Sequence, residues 1–347
     1  GTGSSRTITM DNEDLSPDFV WIKKRTGGTA RVHALYDSVR GVQKTLESNS
    51  DGAEYADTNA LTAFNSDPGG FTVGSEDRVN ENTYPYVAWC WKAGGNKNTF
   101  NVDDVGYASA AAAGLDGGTI TPVAASVGTK QGFSIIQYQG NNTSGATFSH
   151  GLTSAPTFCI LKTMDQNGQY WHVWHSALAT NEYIYLNEPN AKTSGSDFFN
   201  STIPTSSVIT LGNGQACNKN GDDVIAYLWH DVPGLQKFGS YVGNGDNDGP
   251  FVELGFRPAL VIIKNIDQSN SWFIMDKDRS PYNPLGEILN AEATTAETST
   301  DWIDFTSNGF KIRATSTGNN NDTKTQIFCA WAASPMNNLY GAQSNAR

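Results

Sequence analysis

One short motif occurs three times in this chain and limits what the chain can fold into. Each copy begins with a proline, continues through five mostly apolar residues and ends on a lysine, and the copies span residues 17–23, 156–162 and 258–264. A tryptophan follows the three prolines after 74, 73 and 73 residues, at positions 91, 229 and 331. A spacing held constant to one residue indicates a tandem of three homologous units.

The composition favours strands over helices. Only 17% of the residues are charged and 11% are aromatic, with nine Trp, and Gly, Asn, Ser and Thr are abundant. Each unit contains seven or eight short apolar or alternating runs separated by turn formers, and no amphipathic helix of convincing length. The sequence therefore predicts an all-β protein of three tandem antiparallel β-sandwich repeats, of the jelly-roll or lectin-like kind.

The repeat spacing also predicts boundaries. A first repeat spans 1–94, a Gly/Ala/Asn-rich spacer 95–131, a second repeat 132–234, a third repeat 235–335 and a C-terminal tail 336–347. About 100 residues are enough for a repeat to bury a core of its own. The motif is predicted to be a central strand covered on both faces, and its last residue, the lysine, to mark the return of the chain to solvent.

Two irregularities break the pattern. The second and third repeats open with a strand that ends at Gly140 and Gly243, and these lie 16 and 15 residues before the motif prolines. Gly1 lies 16 residues before the first motif proline, so the opening strand of the first repeat is missing. Either residues upstream were removed or not included, or another chain supplies the strand. The spacer is expected to be either a flexible linker or an arm that packs on a neighbouring subunit.

Charge and cysteine content exclude several classes of protein. The formal net charge is −12 and there is no Lys/Arg cluster, so neither nucleic acid nor a membrane is expected as a partner. No apolar run approaches the length of a membrane helix. The four cysteines occupy no shared repeat position and form no Cys-x-x-Cys pair, so they are predicted to be free, mostly buried thiols.

No catalytic constellation is visible, and the protein is predicted not to be an enzyme. Glycosidases need two carboxylates across a cleft. Asp11, Glu13 and Asp14 share one loop, and Glu287 and Glu292 lie near another, but none recurs with a matching partner. These acids are interpreted as solvated loop residues.

One loop is a candidate cation site. Asn244, Asp246 and Asp248 lie in a tight Gly-rich turn and offer the hard oxygen ligands that Ca²⁺ prefers. The alternative is a plain polar turn, since the distal bidentate Glu of a complete calcium loop is absent. His172 and His175 lie three apart on a predicted strand and point to opposite faces, so they are not expected to bind one metal ion.

An aromatic run is the candidate ligand site. Tyr170, His172 and Trp174 could contact a sugar, since an aromatic face packs against the C–H face of a pyranose. Core packing is the alternative interpretation, because Trp174 aligns with Tyr36 and Met275 in the other repeats. The same alignment places Asp37, His175 and Asp276 at equivalent positions and predicts a structural role for them.

Several blocks carry a resemblance to a known group of proteins. The runs 17–23, 35–41, 70–74 and 86–94 resemble a repeat of marine bacteriophage virion proteins, especially those of phages that infect cyanobacteria. The spacer run 95–107 is also similar to that family. The resemblance implies a surface-exposed virion protein, of the tail-fibre or spike kind, with lectin-like β domains. It implies no catalytic residues.

The function expected from these observations is non-enzymatic attachment. The protein is predicted to be a virion surface module of a tail fibre or receptor-binding appendage that contacts a host-surface glycan or receptor through its variable loops. The expected partners are other virion subunits, with a homo-oligomer, a trimer by analogy. A capsid decoration or connector protein is the first alternative, and a polysaccharide depolymerase is the second.

Overall fold

The computed structural model describes residues 1–10 and 15–334, and the predicted tail 336–347 lies outside them. The described residues form 27 strands and two helices of four residues each, so the prediction of an all-β protein is confirmed. The repeat boundaries stay a prediction. The first, second and third segments named below are residues 1–94, 132–234 and 235–335.

The first segment contains a sheet of five strands, ordered β5-β4-β3-β2-β8, and a smaller sheet of three, ordered β1-β7-β6. Its elements are β1 (Arg6–Thr9), β2 (Phe19–Lys24), β3 (Ala34–Asp37), β4 (Lys44–Glu47), β5 (Tyr55–Ala56), β6 (Leu61–Ser66), β7 (Gly69–Val73), α1 (Asp77–Asn80) and β8 (Tyr86–Trp91).

The spacer and the second segment share one sheet of nine strands, ordered β10-β9-β11-β12-β19-β14-β15-β16-β17, beside a separate pair β13-β18. The elements are β9 (Phe100–Val102), β10 (Val105–Tyr107), β11 (Ala124–Gly128), β12 (Phe133–Gln139), β13 (Ala146–Ser149), β14 (Phe158–Thr163), β15 (His172–His175), β16 (Glu182–Tyr185), β17 (Thr193–Ser194), β18 (Val208–Leu211), α2 (Gln215–Asn218) and β19 (Asp223–Trp229).

The spacer is neither a flexible linker nor an arm that reaches away from the chain. Its strand β11 pairs antiparallel with β12 of the second segment and parallel with β9. Leu115 and Ile120, from the stretch between β10 and β11, are buried in the core of the second segment. The expectation of a flexible linker was therefore wrong, because its few apolar residues are sufficient to extend an existing sheet; packing of the spacer on a neighbouring subunit stays a prediction.

The third segment forms one continuous sheet of eight strands, ordered β20-β27-β22-β23-β24-β25-β26-β21. The strands are β20 (Gln236–Val242), β21 (Phe251–Glu253), β22 (Pro258–Asn265), β23 (Trp272–Asp276), β24 (Leu285–Asn290), β25 (Thr298–Thr306), β26 (Gly309–Ile312) and β27 (Thr325–Ala332). Both halves of this sheet contribute to one apolar cluster, so the sheet encloses its own core.

The repeated motif forms the central strands β2, β14 and β22, as predicted. Each is flanked by the last strand of its segment on one side and by the strand that follows it on the other. Alternate side chains point to two cores. In β2, Phe19 and Trp21 join a core shared by all three segments, whereas Val20 and Ile22 join a core of the first segment alone.

The shared core is closed by three tryptophans that end equivalent strands. Trp91, Trp229 and Trp331 make mutual edge contacts with ring centroids 5.4 to 6.2 Å apart. Each segment therefore has a core of its own and also contributes one whole sheet face to a common interior.

The lysines that end the motif do not return to solvent. Lys23, Lys162 and Lys264 are buried, and burial lowers the pKa of each to about 8. Each ammonium donates to a backbone carbonyl of another segment, at 3.0, 3.3 and 3.2 Å: Lys23 to Thr294, Lys162 to Asp51 and Lys264 to Pro189. The expectation of exposed lysines was wrong because these carbonyls replace water as acceptors.

These contacts run around a ring, from the first segment to the third, the third to the second and the second to the first. A second set of hydrogen bonds joins the same three pairs of segments. It involves the equivalent residues Asp37, His175 and Asp276. The contacts are Tyr227 Oη to Asp37 Oδ2 at 2.6 Å, Trp89 Nε1 to Asp276 Oδ2 at 3.1 Å and His175 Nε2 to the Phe328 carbonyl at 3.3 Å. Contacts that join different faces of similar units and close on themselves are the geometry of a cyclic trimer.

Two further findings concern the cysteines and the length of the helices. All four cysteines are free thiols, as predicted, with three buried and Cys90 partly exposed. Among residues 1–10 and 15–334, no helix is long and apolar enough to cross a membrane.

Candidate functional site

A groove of about 300 Å³ lies where the first and second segments meet. Its floor comes from the loop between β4 and β5 of the first segment, and one wall comes from the loop that follows β14. The lining residues are Glu47, Ser50, Gly52, Ala53, Glu54, Tyr55 and Asn167.

Backbone hydrogen bonds hold the groove loop in place. The Glu54 N–H donates to the Met164 carbonyl at 2.8 Å, and the Gln169 N–H donates to the Asp51 carbonyl at 3.1 Å. The Ala53 N–H donates to Asn167 Oδ1 at 2.9 Å. The loop is therefore fixed against the second segment, which positions its side chains before any ligand arrives.

Two carboxylates face this groove, and both have partners. Glu47 accepts a hydrogen bond from Tyr55 Oη at 2.5 Å and lies 3.5 Å from the Arg78 guanidinium. Burial raises the pKa of the Glu47 carboxyl, and Arg78 opposes the rise. Glu54 forms ion pairs with Arg40 at 3.0 Å and Lys44 at 3.4 Å. Each carboxylate still has lone pairs to accept further hydrogen bonds.

One aromatic side chain lines the groove. Tyr55 is 36% exposed, with the Arg78 guanidinium 5.1 Å from its ring centroid. Tyr170 is 38% exposed and packs against Tyr185 at 4.8 Å, outside the groove lining. Its neighbour Trp171 contacts the groove loop, because Trp171 Nε1 donates to the Glu47 and Ser50 carbonyls.

The arrangement is suited to a neutral polyhydroxyl ligand. Carboxylate oxygens, an amide and a hydroxyl offer hydrogen bonds, and the partly exposed ring of Tyr55 offers an apolar face. Sites for small ligands combine a concave surface with a few polar groups of this kind. No group of three or more His, Cys, Asp or Glu side chains arranged to hold a metal ion exists among the described residues.

A family model for a domain of unknown function (DUF7483) matches residues 1–335. The chain belongs to this family. The match includes all three copies of the motif and the spacer, so the family is defined over the ring of three segments together with the groove. No curated protein and no solved structure matches the chain.

Two of the three predicted sugar contacts are buried. Trp174 is 4% exposed and belongs to the core of the second segment. His172 is 2% exposed, stacks on Phe198 at 3.5 Å, and burial lowers its pKa to about 3. Both assignments were wrong, because the outer face of the strand is covered by further aromatic residues. Tyr170 alone reaches the surface.

The calcium candidate is a hydrogen-bonded turn. Asn244 Oδ1 accepts the Asp246 N–H at 3.0 Å, and Asp246 Oδ1 accepts the Asp248 N–H at 2.9 Å. Asp248 Oδ1 lies 2.7 Å from Lys311 Nζ. The same turn occurs at Asn141, whose Oδ1 accepts the Thr143 N–H at 2.9 Å. Asn244 Oδ1 and Asp246 Oδ1 therefore stabilise the turn, and the calcium site stays a prediction.

Among the acidic residues considered from sequence, Glu292 has a structural role, because it accepts the Trp272 N–H at 3.0 Å and supports a buried strand end. Asp11, Glu13 and Asp14 lie outside the described residues. The groove acids Glu47 and Glu54 were not recognised from sequence. The available signal was the run Glu54-Tyr55 seven residues after Glu47.

Proposed function

We propose that this protein is a bacteriophage virion surface protein, part of a tail fibre or receptor-binding appendage, that attaches to host-surface glycans without cleaving them. The observation that supports attachment is the groove lined by Glu47, Glu54, Asn167 and the partly exposed Tyr55. The motif resemblance supports a place on the virion.

The groove chemistry favours a sugar over an ionic ligand. Sugar hydroxyls donate to the carboxylates of Glu47 and Glu54, while a tyrosine ring packs on the apolar face of the pyranose. A cationic ligand would compete with Arg40, Lys44 and Arg78, which already hold the carboxylates. An anionic ligand would face two carboxylates.

Binding is favoured over cleavage by the partners of the two acids. A glycosidase needs one carboxyl free to give a proton and a second free to attack or to activate water. Tyr55 and Arg78 hold Glu47, and Arg40 and Lys44 hold Glu54. A single weak site of this kind becomes effective on a particle that carries many copies.

The test is binding of the intact chain to a glycan array and to host cells. Tyr55→Ala is expected to reduce binding at least tenfold, because the ring face is lost. Tyr55→Phe keeps the ring and is expected to stay within about threefold. Tyr282→Ala, at an 83% exposed tyrosine of the third segment, is the matched control and is expected to bind as the unmodified chain does.

Two outcomes contradict the proposal. The first is a failure of the unmodified chain to bind any glycan or host cell, or equal binding by the Tyr55→Ala variant. The second is release of oligosaccharides from host polysaccharide by the chain, with loss of release in Glu47→Gln, which would make the protein a depolymerase.

A further inference from the structure

The polar groups of the groove differ in whether the protein already engages them. Both carboxylate oxygens of Glu54 lie against cations, at 3.0 and 3.4 Å. In Glu47, the Tyr55 hydroxyl and the Arg78 guanidinium contact the same oxygen, Oε1, at 2.5 and 3.5 Å. No described residue donates a hydrogen bond to Glu47 Oε2. That oxygen is the acceptor that the floor of the groove leaves to a ligand.

The wall from the second segment offers a neutral donor with a fixed direction. Asn167 is exposed, and its Oδ1 accepts the Ala53 N–H at 2.9 Å. Only the oxygen of a carboxamide can accept, so this bond fixes which end of the Asn167 side chain is the Nδ2 amide. No described residue accepts a hydrogen bond from Nδ2. Its two hydrogens are therefore available to a ligand.

A methyl-sized space lies beside this donor, at Gly52. A β-carbon added to Gly52 would lie 3.1 Å from Ser50 Oγ and 3.8 Å from Asn167 Oδ1. Both atoms belong to residues that line the groove, so the missing side chain leaves the space between them open. The next residue, Ala53, also lines the groove and adds only a methyl group. Glycine at a binding surface marks a place where a ligand can approach the backbone closely.

A secondary amide matches a donor on the wall, an acceptor on the floor and a small space beside the donor. Its C=O and N–H point in opposite directions, because the peptide-like bond is planar and trans. One amide can therefore accept from Asn167 and donate to Glu47 at the same time. A hydroxyl carries its donor and its acceptor on a single atom, so it cannot span the two surfaces. The methyl group of an acetyl amide is small enough for the space at Gly52.

We propose that the groove recognises sugars that carry an acetamido group in place of a hydroxyl. Asn167 Nδ2 donates to the acetyl carbonyl, the amide N–H donates to Glu47 Oε2, and the methyl group lies over Gly52. The pyranose ring packs on the ring of Tyr55, which is 36% exposed. This inference rests on the proposed attachment to glycans and adds the class of sugar.

The preference follows from the groups that other sugars leave unpaired. A hydroxyl in the same place leaves either the Asn167 amide or the Glu47 oxygen without a partner, and it leaves the space at Gly52 unfilled. A site built around a hydrogen bond rejects an analogue that lacks it. A free amino group would bring an ammonium, which cannot accept a hydrogen bond from Asn167.

The first test compares sugars that differ at this group alone. The intact chain is titrated with trimers of N-acetylglucosamine, glucose and glucosamine that share one linkage, and it is applied to a glycan array sorted into acetamido and hydroxyl pairs. The acetamido member is expected to bind more tightly than the hydroxyl member by about tenfold or more. Each pair keeps the ring, the linkage and the other hydroxyls constant, so the difference reports the acetamido group.

The second test removes the donor and keeps the loop. Asn167→Asp retains an oxygen that accepts the Ala53 N–H but has no N–H of its own. Affinity for the acetamido sugars is expected to fall by about tenfold or more, while affinity for the hydroxyl sugars stays within about threefold. Asn190→Asp makes the same change of charge at an exposed asparagine outside the groove and is expected to keep the preference.

The third test fills the methyl space. Gly52→Ala is compatible with the backbone, because Gly52 is not in the left-handed region and the nearest atom is the mobile Ser50 hydroxyl. It is expected to remove the preference for acetamido sugars without loss of hydroxyl sugars. Gly117→Ala also places a methyl group beside a serine hydroxyl, Ser149 Oγ at 3.3 Å, but outside the groove, and is the matched control.

The outcomes separate this inference from the proposed function. Equal affinity for the two members of each pair overturns the acetamido preference and leaves glycan attachment standing. Binding of the glucosamine trimer or of an acetyl-lysine peptide as tightly as the acetamido trimer overturns it as well, by assigning the groove to an ammonium group or to a bare amide. A preference that survives in both Asn167→Asp and Gly52→Ala overturns the assignment to this groove. Absence of binding to every glycan contradicts both the inference and the proposed function.

Discussion

The three buried lysines, Lys23, Lys162 and Lys264, show how single residues join the segments. Each carries an ammonium group into the interior and donates it to a carbonyl of another segment. Removal from water disfavours the charged form, so the pKa of each lysine falls to about 8. The lowered pKa values therefore make the free energy of unfolding depend on pH in the alkaline range.

The first prediction concerns Lys162→Met. Between pH 8 and 10 the unfolded chain binds the Lys162 proton and the folded chain does not, so this residue makes the free energy of unfolding rise with pH. In this range the free energy of unfolding of the unmodified chain is expected to rise with pH more steeply than that of the variant, by about 1 kcal/mol per pH unit. Denaturant titrations at several pH values measure the slope. The exposed Lys130→Met is the control, and equal slopes in all three proteins would contradict the prediction.

The second prediction concerns the buried hydroxyl of Tyr227. Tyr227→Phe removes the 2.6 Å hydrogen bond to Asp37 and leaves that carboxylate with one partner fewer in the interior. The free energy of unfolding is expected to fall by about 1–3 kcal/mol. Tyr282→Phe makes the same chemical change at an 83% exposed position and is expected to have no effect. If the free energy of unfolding fell equally in both variants, the hydrogen bond between Tyr227 and Asp37 would not contribute to stability, contrary to this prediction.

For single residues, the sequence predicted which side chains share one face of a strand, but not which face is exposed to solvent. Tyr170, His172 and Trp174 lie two apart and share one face, which the pattern predicts. Trp171 and Val173 occupy the opposite face and enter the shared core. Both faces are buried, because a second core forms only when three sheets meet. No single repeat contains that information, so the exposed face could not be distinguished from the covered one.

At the scale of elements, the packing of the spacer strands requires the backbone at Gly94 to lie close to the backbone of β9 and β11. A β-carbon there would lie 2.4 Å from the Val127 carbonyl oxygen and 2.6 Å from that of Asn101. The Gly94 N–H donates to Ser126 Oγ at 2.9 Å. The end of the first segment therefore runs against β11 and β9 with no room for a side chain.

The third prediction follows from this contact. Gly94→Ala forces the spacer strands away and is expected to lower the free energy of unfolding by roughly 1–3 kcal/mol. Gly117→Ala, at an exposed spacer glycine whose nearest atom is the Ser149 Oγ at 3.3 Å, is the control. Hydrogen exchange of β9 and β11 locates the effect. Unchanged protection of these strands in Gly94→Ala would be evidence against the prediction.

The motif strands were predictable, and the spacer strands were not. β2, β14 and β22 carry continuous apolar runs that are typical of central strands. β9 and β10 contain three residues each, and a strand that short has no readable period. They form because β11, which pairs with β12, presents its other edge to β9. The groove likewise depends on a contact between distant loops that local pattern cannot predict.

At the scale of the whole molecule, one interior joins all three segments. The aromatic residues Trp91, Trp229 and Trp331 contact each other, and every segment contributes a sheet face. Opening one segment exposes the cores of the other two. Stability is therefore a property of the ring as a whole.

The fourth prediction is a single cooperative unfolding transition. Calorimetry is expected to show one heat-capacity peak, with the calorimetric and van't Hoff enthalpies in agreement. The isolated segment 132–234 is expected to aggregate or remain unfolded, because its part of the shared core would face water. Two or three resolved transitions, or a folded isolated segment, would contradict this view.

The fifth prediction concerns acid. His150, His172 and His175 are held neutral, because burial lowers their pKa values to about 4, 3 and 4. As pH falls from 6.5 to 5, the unfolded chain gains protons that the folded chain does not, so stability decreases. In the His175→Gln variant the free energy of unfolding is expected to fall less steeply with acid, by about 1 kcal/mol per pH unit. Melting temperatures measured across this range test it, and a variant with an unchanged slope would refute it.

The ring of contacts closes within one polypeptide, and this affects how the molecule can change. In an assembly of three identical subunits, each substitution appears at three places at once, so a change that suits one surface must be tolerated by all. Here each copy has its own codons. The loop of the first segment can acquire a new binding preference, with a tyrosine, Tyr55, where its counterparts have Thr193 and Thr298, while the strands of the other two keep the interior unchanged. Covalent linkage thus separates the evolution of recognition from the maintenance of the scaffold.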